Sequence, residues 1–200
     1  QNGVIGLGGM IVQTIVNKLG VTFIAGYTAT NKLYGLLEIA ALSYCYAVTT
    51  YVGQNYGAGL LPRIRSGVRA ANALALLSSL VIAGVMLLFG RQITMLFISA
   101  EDPALALEAG EVAYGYLRTM AVCLPVLYSL YLLMSALQGL GDTVRPMVSG
   151  IVELIMRLAV AGLVAYTGFA SGIFLAEVTA WIGSTVYLFY HYRKRMKTLK

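Results

Sequence analysis

The sequence predicts an all-α fold, a polytopic membrane protein built as a bundle of six transmembrane helices, and three observations predict it. Hydrophobic residues make up 59% of the 200 and charged residues only 11%, against about a quarter charged in soluble domains. Apolar stretches of about 20 residues, the length that crosses a ~30 Å hydrocarbon core, recur six times. Between them lie short polar turns, above all Gly53-Gln54-Asn55-Tyr56-Gly57-Ala58-Gly59 followed by Pro62, Arg63 and Arg65, the composition that a connection between two membrane helices needs. Residues 1–200 read as one transmembrane unit with no soluble domain. The chain opens at Gln1 without the charged and cleavable regions of a signal peptide, and it reads as a piece of a longer protein.

The first span, about 3–24, carries Gly3, Gly6, Gly8 and Gly9, small residues spaced to let another helix backbone approach. A phosphate-binding glycine fingerprint is excluded, because it needs a preceding strand and a soluble βαβ unit. A turn near Ala25 to Thr28 leads to the second span, about 29–52, with Asn31, Lys32, Tyr34 and Glu38. At 1.5 Å per residue Glu38 lies ~15 Å into that span. A carboxylate is costliest at such a depth and is by default a functional candidate; a structural hydrogen bond to a neighbouring helix is the competing reading. The third span, about 66–89, follows Arg63, Arg65 and Arg69, and its Gly67, Ala70, Ala71, Ala73 and Ala75 suit close packing.

In the outer connection, Ser99 to Asp102 offer a cap for the next helix. The fourth span, about 111–137, holds Arg118, Pro125, Tyr128 and Tyr131. Pro125 removes one backbone hydrogen bond and predicts a bend, read either as a break that opens a cavity or as a packing kink. The turn Gln138 to Pro146 repeats the earlier one at an offset of 84, pairing Gln54 with Gln138, Gly57 with Gly141 and Pro62 with Pro146. In the fifth span, about 147–166, Glu153 and Arg157 stand at i and i+4, share a helix face and neutralise one another, a pair read as structural. A neutral turn leads to the sixth span, about 173–192, with Glu177 and Trp181 in its outer half. A basic tail, 193–200, closes the sequence.

The basic residues settle orientation. Arg63, Arg65, Arg69, Arg145, Arg193, Lys194, Arg195, Lys197 and Lys200 lie on the side reached after spans two, four and six, whereas the opposite connections carry Arg91 with the acids Glu101, Asp102, Glu108 and Glu111. The positive side is cytoplasmic, which places both ends of the chain in the cytoplasm and makes the net charge of +6 a membrane signal; no nucleic-acid partner is expected. Cys45 and Cys123 sit in apolar runs and behave as small hydrophobes.

An enzyme is not expected. The single histidine, His191, sits at the exit of the last span, which leaves no base for a buried nucleophile, and no His, Cys and carboxylate cluster has metal-ligand spacing. A channel would need repeated pore loops or rings of charge. Ionisable groups scattered singly at depth, Glu38, Arg118, Glu153, Arg157 and Glu177, fit a transporter better, with Glu38 placed to exchange a proton or cation between two states.

Two stretches carry a resemblance. Ala29 to Glu38 with Val52 to Gly59, and then Ala136 to Thr143 with Pro146, Met147, Glu153 and Arg157, resemble the multidrug and toxic compound extrusion (MATE) transporters, whose halves each close a helix with such a glycine turn. Gly168, Gly172, Ala176 and Trp181 are similar to the final hairpin of that family. The resemblance implies one six-helix lobe of a twelve-helix, two-lobed inner-membrane carrier, the C-terminal lobe, with a second lobe or a second copy as partner. It implies a secondary active antiporter that exports drugs or organic cations in exchange for protons or Na+, with no cofactor. Members that bind Na+ in this lobe have carboxylates on its first and fourth helices; here residues 1–24 hold none and the fourth centre is Leu124, Pro125, Leu127 and Tyr128. Coupling within this lobe then falls to Glu38, with Asn31, Tyr34, Tyr128 and Arg118 as cavity companions. The alternative is a flippase for a lipid-linked oligosaccharide or peptidoglycan precursor, which would hold a pyrophosphate on cations such as Lys18, Lys32, Arg118 and Arg157.

Overall fold

The computed structural model describes residues 2–98 and 102–199. Among them run six α-helices, α1 (Asn2–Val16), α2 (Val21–Gly57), α3 (Leu61–Met95), α4 (Pro103–Gly139), α5 (Val144–Thr167) and α6 (Leu175–Thr198), with a 3-10 turn, Ala170–Phe174, leading into the last. Five stretches, α2 to α5 and residues 170–198, are long and apolar enough to cross a membrane. The fifteen residues of α1 reach about 22 Å.

The first connection departs from the one the sequence predicts. The chain breaks at Asn17 to Gly20, where Gly20 takes φ +99°, a conformation that only glycine adopts cheaply. The Ala25 to Thr28 stretch lies inside α2. Gly26 serves contact instead of turning: a Cβ there would stand 2.8 Å from Cβ of Val112 and 3.0 Å from the amide of Ala113. Of the α1 glycines, Gly8 alone is used for packing, against Arg157 and Leu154, while Gly3, Gly6 and Gly9 have open space where a Cβ would be.

The bundle is organised around α4, which packs on α2, α3 and α6 and buries Leu117, Met120, Ala121, Leu124, Leu127, Tyr128 and Leu132. It runs parallel to α2. The Thr30 hydroxyl donates to the Ala113 carbonyl at 2.8 Å, and near the far end Gly139 lies against Val52 and the Thr49 carbonyl. Close approach of two helix backbones through small residues is how helices associate where no hydrophobic drive separates them from lipid. α3 returns antiparallel, held by Tyr44 to Ser78 at 2.8 Å and by Tyr51, whose ring occupies the space a Cβ on Gly67 would need. α5 and α6 form an antiparallel hairpin tied by the Ser184 hydroxyl donating to the Ser149 carbonyl at 2.8 Å, and α1 lies along α5. α4 stays helical through Pro125. Leu74, Leu77, Leu80, Val81 and Leu88 of α3 face outward, an apolar exterior that suits hydrocarbon and would be a liability in water.

The two polar turns are the same device, in a register other than the one predicted. After α2, the Gly59 amide donates to the Tyr56 carbonyl and the Leu60 amide to Asn55; after α4, the Gly141 amide donates to Gln138 and the Asp142 amide to Leu137. Both follow the Schellman pattern, in which the residue just past the helix takes a positive φ, here Gly59 at +71° and Gly141 at +76°. The structural offset is therefore 82, pairing Gly59 with Gly141 and Tyr56 with Gln138. Gly57, Gly53 and Gln54 are helical. The prolines sit 84 apart because one more residue separates Gly141 from α5 than separates Gly59 from α3, and Pro146 stands one position deeper in its helix than Pro62.

At the same end of the bundle Arg65 donates to the Met196 carbonyl at 2.9 Å and Arg145 to Nδ1 of His191 at 3.1 Å. The basic residues that follow α2, α4 and α6 are thus gathered together, and the predicted tail continues as helix to Thr198. At the opposite end Asp102 caps α4 by accepting from the Ala104 amide at 2.8 Å. Ser99 and Glu101 of the predicted cap, together with Gln1, Ala100 and Lys200, lie outside the described residues.

Candidate functional site

α2 carries Glu38 seventeen residues after Val21 and nineteen before Gly57, so the side chain sits halfway along a helix of about 55 Å. It opens into a cavity of about 250 Å³ lined by α1, α2, α4, α5 and α6, in which Glu38, Glu153, Arg157 and Glu177 are the charged groups. Aromatic walls come from Tyr34, Tyr131 and Trp181, and Met134 completes one side. The Tyr131 hydroxyl donates to Oε1 of Glu38, a charge-assisted bond across the α2–α4 contact. Tyr34 stacks on Trp181 with ring centroids 5.7 Å apart.

Arg157 is held on three sides. Its Nη2 donates to Oε2 of Glu177 at 2.7 Å and to Oε2 of Glu153 at 3.4 Å, and Nη1 reaches the Ile5 carbonyl of α1 at 3.4 Å. The side chains are 5% exposed for Arg157, 6% for Glu153 and 13% for Glu177, so the charges meet with little water between them. Gly8 makes room for the arginine stem: a Cβ there would lie 3.1 Å from Cδ of Arg157. With all four groups ionised, three carboxylates face one guanidinium, which leaves two negative charges uncompensated. A low-dielectric pocket tolerates that poorly, and a proton or a bound cation would relieve it.

The residues singled out from the sequence divide. Glu38 and Tyr34 line this cavity, and Glu153 and Arg157, read as a structural pair, line it with them. Their pairing holds, but the nearer partner of Arg157 is Glu177 of α6. Tyr128 is buried elsewhere: its ring packs beside Tyr44 and its hydroxyl donates to the Leu37 carbonyl at 3.3 Å. Arg118 is exposed on α4, thirteen residues from Tyr131 and so about 140° around the helix from it. Asn31 is half-buried outside the cavity lining, and Lys18 and Lys32 are exposed. Gly53, Gln54, Gly57, Gln138, Gly141 and Pro146 belong to the two helix ends at the basic face.

Sequence reasoning gives Tyr131 no role, and it counts Glu177 among the ionisable groups at depth without joining it to Arg157. For Glu177 a signal existed: Arg157 and Glu177 stand ten residues either side of Thr167, so an antiparallel hairpin turning there brings them level. Nothing local marks Tyr131, because α2 and α4 are joined only through α3.

Residues 4–163 match the MatE family. The probable multidrug resistance protein NorM of Synechocystis sp. is 28% identical over 173 residues, which cover 86% of this chain and 36% of that protein. Among solved structures, a MOP superfamily transporter from Pyrococcus furiosus, whose binding pocket is described as of reverse polarity, superposes with a TM-score of 0.89 at 19% identity over 98% of this chain and 44% of its own. The Vibrio cholerae MATE transporter VcmN in its bent form gives a TM-score of 0.85 at 20% identity over 97% and 43%. The chain therefore spans about a third of the curated relative's length and less than half of each of these two structures.

Proposed function

This chain belongs to the MatE family, and on that premise we propose that it forms one lobe of a secondary active antiporter that exports organic cations or drugs in exchange for protons or Na+. One observation carries the reading: the Glu38, Glu153 and Glu177 carboxylates line one cavity midway through the bundle with Arg157 as its one cation, and Arg157 engages only two of them. Excess negative charge at that depth attracts a monovalent cation, and its occupancy can differ between inward-open and outward-open states. Tyr34, Trp181 and Met134 supply aromatic and thioether surface against which a large apolar cation rests, with a carboxylate to hold its charge. A second lobe, from elsewhere in the same protein or from a second copy, completes the carrier. The basic end faces the cytoplasm of an inner membrane, by the positive-inside rule.

The flippase alternative is less well supported at this cavity. A pyrophosphate-binding chamber needs uncompensated cations. Arg157 is the sole cation in the lining, two carboxylates engage it, and Lys18, Lys32 and Arg118 are exposed elsewhere.

The test is efflux of a cationic dye from energised vesicles under separate proton and Na+ gradients. Glu38→Gln is expected to reach the membrane at normal levels and to lose gradient-driven efflux. Efflux at the wild-type rate in that variant removes Glu38 from the mechanism, and the gradient that drives the parent protein names the coupling ion.

A further inference from the structure

A second, larger hollow lies on the other side of α4. Its floor is Ser129, Leu132 and Leu133, whereas the carboxylate cavity uses Leu127, Leu130, Tyr131 and Met134; at 100° per residue these sets point in opposite directions from the helix axis. The hollow is a groove of about 920 Å³ between α3 and α6, and its charge is the reverse of the first. Arg65 and Arg69 line one wall and Arg193 and Lys197 the other, with no carboxylate in the lining among the described residues. Each pair stands one helical turn apart, so the four cations form two facing rungs at the basic end of the bundle.

The groove is amphipathic along its depth. The charged residues occupy the mouth, where Arg65 bridges the walls through the Met196 carbonyl and the Arg193 guanidinium lies 4.8 Å over the Phe189 ring. Deeper in come the neutral Asn72, Ser129 and Thr185, flanked by Val68, Leu132, Leu133 and Phe189. Both hydroxyls donate to backbone carbonyls, Ser129 to Pro125 at 2.9 Å and Thr185 to Val126 at 3.3 Å. Beyond the groove, α6 continues from Phe189 as an exposed apolar strip of Val186 and Ile182.

A soluble anion would use the four cations and leave the apolar walls wet. A ligand with a phosphate at one end and hydrocarbon at the other uses both. We propose that this groove binds the phosphate headgroup of an anionic phospholipid from the leaflet at the basic end, its acyl chains lying along Val186 and Ile182. Basic pockets between transmembrane helices hold such headgroups through the same combination of clustered cations and adjoining lipid. The site is independent of the transport proposal, because no residue lines both hollows.

The experiment is native mass spectrometry of the delipidated intact protein, titrated separately with phosphatidylglycerol, phosphatidylcholine and inorganic phosphate. Phosphatidylglycerol is expected to bind well ahead of the other two. Arg69→Gln with Lys197→Gln should weaken it about 25-fold, five-fold for each cation removed. Both side chains are exposed, so the fold tolerates the change. The charge-preserving pair Arg69→Lys and Lys197→Arg should retain binding, and Arg91→Gln at the opposite end should have no effect. Equal binding of phosphatidylcholine, an unaltered affinity in the double glutamine variant, or loss of binding in the charge-preserving pair overturns the proposal. Inorganic phosphate binding as tightly as the lipid would make this a site for a soluble anion and overturn it equally.

Discussion

Replacing Arg157 by methionine keeps a flexible apolar stem beside Gly8 and removes the guanidinium, with its charge and its donors to Glu177, Glu153 and the Ile5 carbonyl. Glu177, 2.7 Å away, and Glu153, 3.4 Å away, are then left facing each other and Glu38 with no cation. Breaking a buried ion pair by deleting one partner costs about 3–5 kcal/mol, because the remaining charge stays desolvated. Replacing the whole set by neutral groups of similar volume is often neutral or stabilising by about 1–4 kcal/mol. Arg157→Met alone should therefore lower the unfolding free energy by about 3–5 kcal/mol, and adding Glu153→Gln and Glu177→Gln should recover most of it. Denaturant titration in mild detergent measures both. Trp181 is the only tryptophan in this chain and lines the same cavity against Tyr34, so its fluorescence reports on the site itself. A single variant as stable as the parent, or a triple variant as unstable as the single, refutes the electrostatic account of this cluster.

Two glycine series follow from the backbone contacts. Gly139→Ala would place a Cβ 2.7 Å from that of Val52 and 2.8 Å from the Thr49 carbonyl, and overpacking of this kind costs about 1–3 kcal/mol. Gly6→Ala meets open space and should be neutral or stabilising by up to about 1 kcal/mol through helix propensity; the same unfolding assay ranks them, and reversed ranks would contradict the packing described for α2 and α4. Gly59→Ala and Gly141→Ala force an L-residue to positive φ and should each cost about 1–2 kcal/mol. Gly57→Ala, in regular helix, should not, and a cost at Gly57 with none at Gly59 would restore the offset of 84.

Much of the fold was legible because its determinants are local. Hydrophobic length sets where helices stand, and the glycine turns and flanking arginines mark where they end; α3, α4 and α5 enclose the predicted 66–89, 111–137 and 147–166. The helices overrun those limits because backbone hydrogen bonding does not stop at the edge of the hydrocarbon. The one misplaced break, at Ala25 to Thr28 instead of Asn17 to Gly20, shows where locality fails. Gly20 and Gly26 look equally suited to a turn in the sequence, and the α4 backbone lying against Gly26 decides between them.

The candidate site was legible in part. An acid stranded at mid-helix marks itself as exceptional, since burying it needs a reason, and Glu38 could be singled out on that ground alone. The i, i+4 spacing likewise announced Glu153 and Arg157. Which further groups join them depends on helix phase and on contacts between segments far apart in sequence: Tyr131 reaches Glu38 because α2 and α4 run parallel and close, and Tyr128, three residues earlier, is turned toward Tyr44 by the same rotation. The sequence by itself determined that the chain is a bundle of apolar helices with one strongly basic end and acids buried within it, because composition and spacing act through the solvent each segment prefers. Only the tertiary structure decided that those acids share one cavity while the cations line a groove on the opposite face of α4, because the sign of a chamber depends on which helix faces meet, and side-chain partners across helices leave no periodic trace in the chain.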